Sequence, residues 1–282
     1  MPSKNKYTVL MENNMEKLIR RLPSMNEEVI ASASNQTIKT LARLLLKKYR
    51  DESDYFLAEG AHMLQEASQA GLLKAIFVLW EDQEARSSIL QVIENHPEIP
   101  VINCSKSALG KLSSLKSESR LIGLCQKVQF DAKSASRILM LENVQDPGNV
   151  GTLIRSAYSF GADCVVLSEG CADGYNPKVL QATQGALFYI PLISKEIHKA
   201  ISSCKDHDIP VFAAALHHDS IALSKVEHPE KFALLIGNEG QGLTKETIES
   251  ADYVIHIEMS AFESLNAAIA GSIILYQFQP GL

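Results

Sequence analysis

The sequence predicts an α/β protein of two domains, the second built on a parallel, doubly wound sheet. Three observations lead there. Short apolar runs alternate with helical periodicities along nearly the whole chain, the pattern of strands and helices packed in layers. The runs of the second half, Ile138–Glu142, Cys164–Leu167, Val211–Ala215, Ala233–Ile236 and Tyr253–Ile257, are continuously apolar, as in strands buried on both faces. Between the halves, residues 131–137 begin Asp-Ala-Lys-Ser-Ala-Ser, which offers nothing large to bury and reads as a linker. A chain of 282 residues is long enough for two such cores.

In order, residues 1–29 read as a basic extension with a short helix around Met15–Leu22. A helix is expected over Asn35–Tyr49, with Leu41, Leu44 and Leu45 as its apolar stripe. Tyr55–Ala58 reads as a strand, and Glu59-Gly60 opens the next helix. A strand over Ala75–Leu79, a helix over Ser87–Glu94, a strand over Val101–Asn103 and a short helix over Ser107–Leu112 follow. Gly123–Val128 then closes a small α/β domain over 30–130. In the domain over 138–282, helices at 150–160, 177–185, 196–206 and 244–251 separate the strands, and a helix over Ser264–Phe278 comes last. Sheets of this kind bind ligands beyond the carboxyl ends of their strands.

Composition narrows the class. With 46% hydrophobic and 21% charged residues the chain is an ordinary globular protein. Its longest apolar stretch, Ala267–Phe278, is interrupted by Gly271 and Ser272 and is too short to span a bilayer. Five cysteines, odd in number and without a C-x-x-C pair, fit buried thiols in a reducing compartment. With no signal-peptide core and four early glutamates, a cytoplasmic location is expected. Net charge is −6, yet residues 1–50 hold ten Lys/Arg against four Glu, so +6 sits there and −12 on the remainder. That polarisation suits phosphate contact by the N-terminal region, with Lys39, Arg43, Lys47 and Lys48 as candidates. Lys39, Arg43 and Lys47, spaced by four, read equally well as one solvated helix face.

Three stretches fall at the predicted ligand edge: NVQDPGNVGTLIR from Asn143 to Arg155, GNEGQGL from Gly237 to Leu243, and IEMSAFESLN from Ile257 to Asn266. Each mixes small or uncharged hydrogen-bonding residues into a loop, as needed to wrap a polar small molecule with backbone. The glycine order G-x-x-G-x-G is not the dinucleotide fingerprint, and there is neither a phosphate-binding G-x-x-x-x-G-K-[ST] nor a serine-hydrolase G-x-S-x-G. No zinc pattern occurs, and His217-His218 reads as a surface pair. Asn149 and Ser264 would also serve as helix N-caps, beside any role in the site.

Together the three stretches resemble the SpoU (TrmH-type) family of RNA ribose 2′-O-methyltransferases, within the SPOUT class. Asn143, Asp146, Pro147, Asn149, Gly151, Arg155, Ala157 and Gly161 meet its first signature. Gly237 through Leu243 meet the second, and Ile257, Met259, Ser264, Leu265 and Asn266 the third. The segment Ser34-Asn35, Ile38-Lys39 and Glu59-Gly60 resembles the family's small RNA-binding domain, itself similar to certain ribosomal proteins. The resemblance spans roughly residues 30–282. It implies a deep trefoil knot formed by the segment from about 235 to 282, S-adenosyl-L-methionine as cofactor, no metal, and a homodimer. It further implies methylation of structured RNA, rRNA in preference to tRNA. Arg155 would be central to catalysis, with Asn149, Glu239, Ser264 and Asn266 as polar support. The cofactor would lie against Gly237, Asn238, Gly240, Gly242, Ile257, Met259 and Leu265. An arginine rarely gives up its proton, so Arg155 is read as a phosphate clamp that stabilises a developing alkoxide.

Three positions depart from the family pattern: Glu258 stands for a proline, Ala261 for a glycine, and Gln181 for an arginine. Losing a proline loosens a loop, and an alanine at positive φ costs roughly 1 kcal/mol. A second reading follows, an RNA-binding protein whose cofactor pocket is weak or inactive. Base methylation by a knotted enzyme is a third.

Overall fold

The structure is a computed structural model and describes residues 15–20, 22, 28–114, 119–129, 135–260 and 264–279. Most of the expected basic extension, residues 131–134 of the linker and Ala261 lie outside the described residues. The chain divides into two compact units, one within Met1–Lys127 together with Tyr175–Pro177, the other within Val128–Gly174 and Lys178–Leu282.

The first unit runs α1 (15–20), β1 (Val29–Ile30), α2 (Gln36–Ala42), a 3-10 turn (Arg43–Leu45), α3 (Lys47–Asp51), β2 (Tyr55–Glu59), α4 (Ala61–Gln69), β3 (Leu73–Leu79), α5 (Gln83–Ser87), α6 (Leu90–Asn95), β4 (Val101–Cys104), α7 (Lys106–Leu112) and β5 (Leu121–Gln126). Its sheet has the order β1-β4-β3-β5-β2, with β5 antiparallel to both neighbours. Alternation sorts the strand side chains. Tyr55 and Leu57 join Ile38, Leu41, Leu109 and Leu112 in one core layer, whereas Gly123 faces Leu64 of α4 on the other side.

Two helices expected as single pieces are broken. Over 35–49, Leu46 takes an extended conformation (φ −99°, ψ 130°) between the 3-10 turn and α3. Arg50, buried and only 4% exposed, closes this corner by donating to the Leu44 carbonyl at 2.6 Å. Lys39, Arg43 and Lys47 therefore do not share one continuous helix face. In the second case, Ile89 is fully buried between α5 and α6, dividing the expected Ser87–Glu94 helix.

The second unit runs β6 (Arg137–Leu141), α8 (Pro147–Ser159), β7 (Cys164–Leu167), α9 (Pro177–Thr183), a 3-10 turn (Ala186–Phe188), β8 (Leu192–Ser194), α10 (Ile197–Lys205), β9 (Val211–Ala214), β10 (Ile221–Ala222), a 3-10 turn (Leu223–Lys225), β11 (Phe232–Ile236), α11 (Lys245–Ser250), β12 (Tyr253–His256) and α12 (Ala267–Phe278). The sheet order is β10-β12-β9-β11-β6-β7-β8, and every recorded pairing in it is parallel. Met140, Val166, Ala213 and Leu235 share one core layer with Ile197 and Ile201 of α10. On the opposite face, Phe212 and Phe232 meet Phe278 of α12 edge-on at 5.1 and 5.2 Å. Helices thus cover both faces, as expected for a doubly wound sheet. The sequence reading had not assigned β1, β8 and β10, each only two or three residues long.

α12 and α8 pack in direct contact. A Cβ on Gly271 would run into the Leu153 side chain and come within 3.3 Å of Ile236, so the glycine sets the approach. Ser156 and Ser272 share a hydroxyl hydrogen bond of 2.7 Å across the same interface. All five thiols are free, and burial pushes Cys104 and Cys164 up to about 12, which makes them inert packing groups. Among the described residues, no helix is long and apolar enough to cross a membrane.

Candidate functional site

The site is assembled where β6, β9, β11 and β12 end. After β6, Asn143 adopts a left-handed conformation (φ 55°), which asparagine tolerates better than most residues. The turn leads into α8, whose N-cap is Asp146, with its side chain accepting from the Asn149 amide at 2.9 Å, and Pro147 follows in the first turn. Asn149 is therefore not the cap. Its side chain is free for other bonds.

After β11, the GNEGQGL loop folds back on itself. Asn238 and Gly242 exchange backbone hydrogen bonds of 3.0 and 2.9 Å, and Gly242 has φ +70°. A Cβ on Gly237 would collide with the backbone of Gly242 and Leu243, so only glycine allows this closure. Asn238 accepts from the amides of Gly240 and Gln241 and donates to the Asn143 carbonyl at 2.8 Å. The loop's far end is tied to β6 through Glu142. This carboxylate, 4% exposed, accepts from Thr244 N at 2.9 Å, Thr244 Oγ1 at 3.0 Å and Thr247 Oγ1 at 2.7 Å. Those bonds are what make burial of a carboxylate tolerable.

Glu239 joins the first and second loops. It accepts from the Gln145 amide at 3.2 Å, the Asp146 amide at 3.0 Å and the Asn149 side chain at 3.0 Å. Desolvation works to raise its pKa. The hydrogen bond from Asn149 and those from the Glu239, Asp146 and Gln145 amides outweigh it, leaving the carboxyl below its ordinary value. Asn266 adds the third loop. It donates to the Asn149 side-chain oxygen at 3.0 Å and caps α12 by accepting from Ala268 and Ile269 at 2.9 and 3.2 Å. Asn266, not Ser264, is thus the N-cap, and α12 begins at Ala267.

Beside this network lies a cavity of about 330 Å³. Its floor is the loop from Gly237 to Gly242, and Ile257, Met259, Ser264 and Leu265 line one side. All seven residues expected to hold a cofactor line it, and so do Glu239 and Ser264. Asn149 and Asn266 stand in the adjoining network. Arg155 belongs to neither group: it is exposed on α8, six residues beyond Asn149, and its side chain makes no hydrogen bond or ion pair among the described residues. The sequence reading missed Ala214, Ala215 and Leu216, which form the facing wall, and His256 at the end of β12. The rule that ligands sit beyond strand ends pointed to Ala214–Leu216, since they close β9.

Elsewhere, Lys39, Arg43, Lys47 and Lys48 are all exposed in the first unit, with Lys47 paired to Asp51 at 2.7 Å. One group of three potential metal ligands occurs among the described residues, His217, His218 and Asp219. All three are exposed, and His218 and Asp219 already form a 2.8 Å pair.

Comparison with known proteins gives the family. Residues 136–276 match the SpoU rRNA methylase family, and residues 35–123 match an MRM3-like substrate binding domain. The chain is 32% identical over 252 residues to the 23S rRNA (guanosine(2553)-2′-O)-methyltransferase RlmP of Bacillus subtilis (strain 168), covering 89% of this chain and 98% of that protein. The crystal structure of an RNA 2′-O ribose methyltransferase superposes with a TM-score of 0.71 at 28% identity, over 89% of this chain and 98% of the other. An AdoMet-bound rRNA methyltransferase from Sinorhizobium meliloti gives 0.75 at 25% identity, over 89% and 97%. By the matched residues and by this extended similarity, the chain belongs to the SpoU rRNA methylase family.

Proposed function

We propose that this protein transfers a methyl group from S-adenosyl-L-methionine to a ribose 2′-hydroxyl of structured RNA, rRNA in preference to tRNA. The observation that carries the reading is the cavity at the strand ends, walled by the second and third motif loops and adjoining the Asn149–Glu239–Asn266 network that ties in the first. The cavity suits the adenosyl part of the cofactor. Its volume is at the lower end of the range for small-molecule sites, and its walls are apolar at Ile236, Ile257 and Leu265. At Gly237 and Gly242 the backbone itself lines the cavity with no side chain in the way, so a polar ring can approach it closely.

The bound cofactor would supply a methyl already activated on a sulfonium. The protein's part is to hold the hydroxyl in line and exclude competing geometries. The Arg155 guanidinium would grip the phosphate beside the reacting ribose and stabilise the negative charge that develops on the 2′-oxygen as the methyl passes to it, the hydroxyl proton leaving to solvent water and the cofactor's sulfur leaving as a neutral thioether. Glu239 has its oxygens engaged by three donors, which fits it to bracing the loops rather than to taking a proton. Asn149 and Asn266, joined to each other and to Glu239, keep the first and third loops in register.

The rRNA preference rests on the likeness to RlmP. For the first unit we propose RNA binding, with Lys39, Arg43, Lys47 and Lys48 on phosphates and residues 1–29 adding charge; the match to a substrate binding domain supports it. A trefoil knot is inferred from the chain path. β12 lies beyond β9 in the sheet, α12 packs on α8, and Ile257, Met259, Ser264 and Leu265 line the same cavity as the loop from Gly237 to Gly242, which supports the inference. A homodimer is inferred from the exposed Ile269, Ile273 and Tyr276 on α12.

Nucleoside mass spectrometry of rRNA incubated with the protein and S-adenosylmethionine tests the reading. A ribose-methylated nucleoside is expected. A methyl on a base would refute the ribose assignment, and no calorimetric heat at millimolar S-adenosylmethionine would favour an RNA-binding protein without activity.

A further inference from the structure

β10 is the edge strand of the second sheet and pairs with β12 over only two residues, Ile221 with Ile255 and Ala222 with His256. Side chains continue the pairing on both sides of this short ladder. On one side, Ser220 Oγ lies 2.9 Å from His256 Nδ1 and donates to the His217 carbonyl at 2.6 Å. A hydroxyl has one proton, so His256 must be the donor, from Nδ1. On the other side, the Ser224 hydroxyl donates to the Glu258 carboxylate, and the Ser224 amide approaches the second oxygen at 3.4 Å. The Ser224 hydroxyl is the chief reason the Glu258 carboxyl is held below its ordinary value.

The place of these contacts gives them meaning. Ile257 and Met259 line the cavity, but Glu258 between them does not. The segment that carries Ser220 and Ser224 begins at Ala214–Leu216, the opposite wall of the same cavity. One stretch of chain therefore forms one wall and grips the back of the other. Glu258 stands where the family pattern has a proline. A proline ring restricts the backbone from within, while a carboxylate fastened to Ser224 restricts it from outside.

We propose that the Ser220–His256 and Ser224–Glu258 contacts form a two-point clasp that fixes Ile257 and Met259 at the spacing from Ala214–Leu216 required by S-adenosylmethionine. Ser224 and Glu258 are positioning residues that act through their neighbours. The proposal rests on the cofactor reading above and explains how this chain keeps a shaped pocket without the proline.

Calorimetric titration of the full-length protein with S-adenosylmethionine tests it, with Ser224→Ala, Glu258→Ala and the double variant. Each single variant should bind about fivefold more weakly, the effect of one lost hydrogen bond, and the double variant no more weakly than the singles. Both side chains are exposed, so melting temperatures should hold, and kcat at saturating cofactor should match the wild type while KM for cofactor rises. Unchanged affinity in the single variants, or losses that add in the double, overturns the clasp alone. Failure of the wild type to bind S-adenosylmethionine overturns the functional reading and the clasp with it.

Discussion

Arg155 and Glu239, both proposed for the methyl transfer site, are built in very differently. Arg155 is exposed on α8 and its side chain makes no hydrogen bond or ion pair among the described residues, so it adds little to stability. Arg155→Ala should leave the melting temperature unchanged and lower methyl transfer to rRNA by about 10²- to 10³-fold, the range for losing one stabiliser of developing charge. Retained activity would remove it from the chemistry. Glu239 is the opposite case, since it ties two loops together. Its carboxyl lies below its ordinary value, so its contribution is fully present above the unfolded pKa and disappears as pH falls through the depressed folded one. Glu239→Gln should therefore destabilise the protein at pH 7 by about 1 kcal/mol, discounted for solvent screening. The gap to wild type should close on acidification below the carboxylate range, as read by urea unfolding at a series of pH values; a gap independent of pH would mean that the charge contributes nothing. The network around Glu239 was legible as residue types, because its members lie in the three motif stretches. Its wiring was not, since partners ninety or more residues apart in sequence carry no mark of which bonds which.

At the scale of elements, α12 is read most readily and understood least readily from sequence. Its apolar run announces a helix, but Gly271 in its middle looks like a flaw that costs about 1 kcal/mol in helix propensity. Packing against Leu153 and Ile236 decides the matter. Gly271→Val should lower stability by about 1–3 kcal/mol, because overpacking a tight helix crossing outweighs any gain in propensity. A melting temperature equal to or above that of wild type would show that the crossing can relax. The same contrast runs through the fold. The four buried strands of the second unit, β6, β7, β9 and β11, were visible because runs such as Leu139–Leu141 and Leu234–Ile236 are apolar throughout, whereas β12, expected to be buried on both faces like them, has only Ile255 buried and Tyr253 exposed. The edge strands β1, β8 and β10 were not visible, since two or three half-exposed residues have no periodicity to detect. Breaks at Leu46 and Ile89 were hidden for a related reason. Each lies within a helical pattern, and the decision to break came from tertiary demands, the buried Arg50 bond in one case and the fully buried Ile89 in the other.

At the scale of the whole molecule, the face of α12 turned away from its own sheet calls for a partner. Ile269 is 53% exposed and Tyr276 51%, and with Ile273 they lie at i, i+4 and i+7, one stripe along the helix. Thr152 of α8 borders the same groove. A stripe on a single helix is self-complementary when two copies meet about a twofold axis, and that closed arrangement is the commonest for soluble oligomers. We expect the protein to sediment at about twice its monomer mass of 31.0 kDa at micromolar concentration. Ile273→Glu places a charge at the centre of the stripe, where burial without a partner is costly, and should give the single mass. Its melting temperature tests whether the monomer still folds, and Tyr276→Phe, which keeps the apolar ring, should remain dimeric. A wild type that sediments as a monomer at these concentrations would leave the stripe without its second copy and overturn the dimer. If the dimer forms and the glutamate splits it, cofactor titration of the resulting monomer separates two functions of one helix. The cavity is lined by Ala267, Ala270 and Ile274, whereas the stripe is carried by Ile269, Ile273 and Tyr276. S-adenosylmethionine affinity should therefore persist in the monomer, because the residues that would hold it lie on the other side of the same helix.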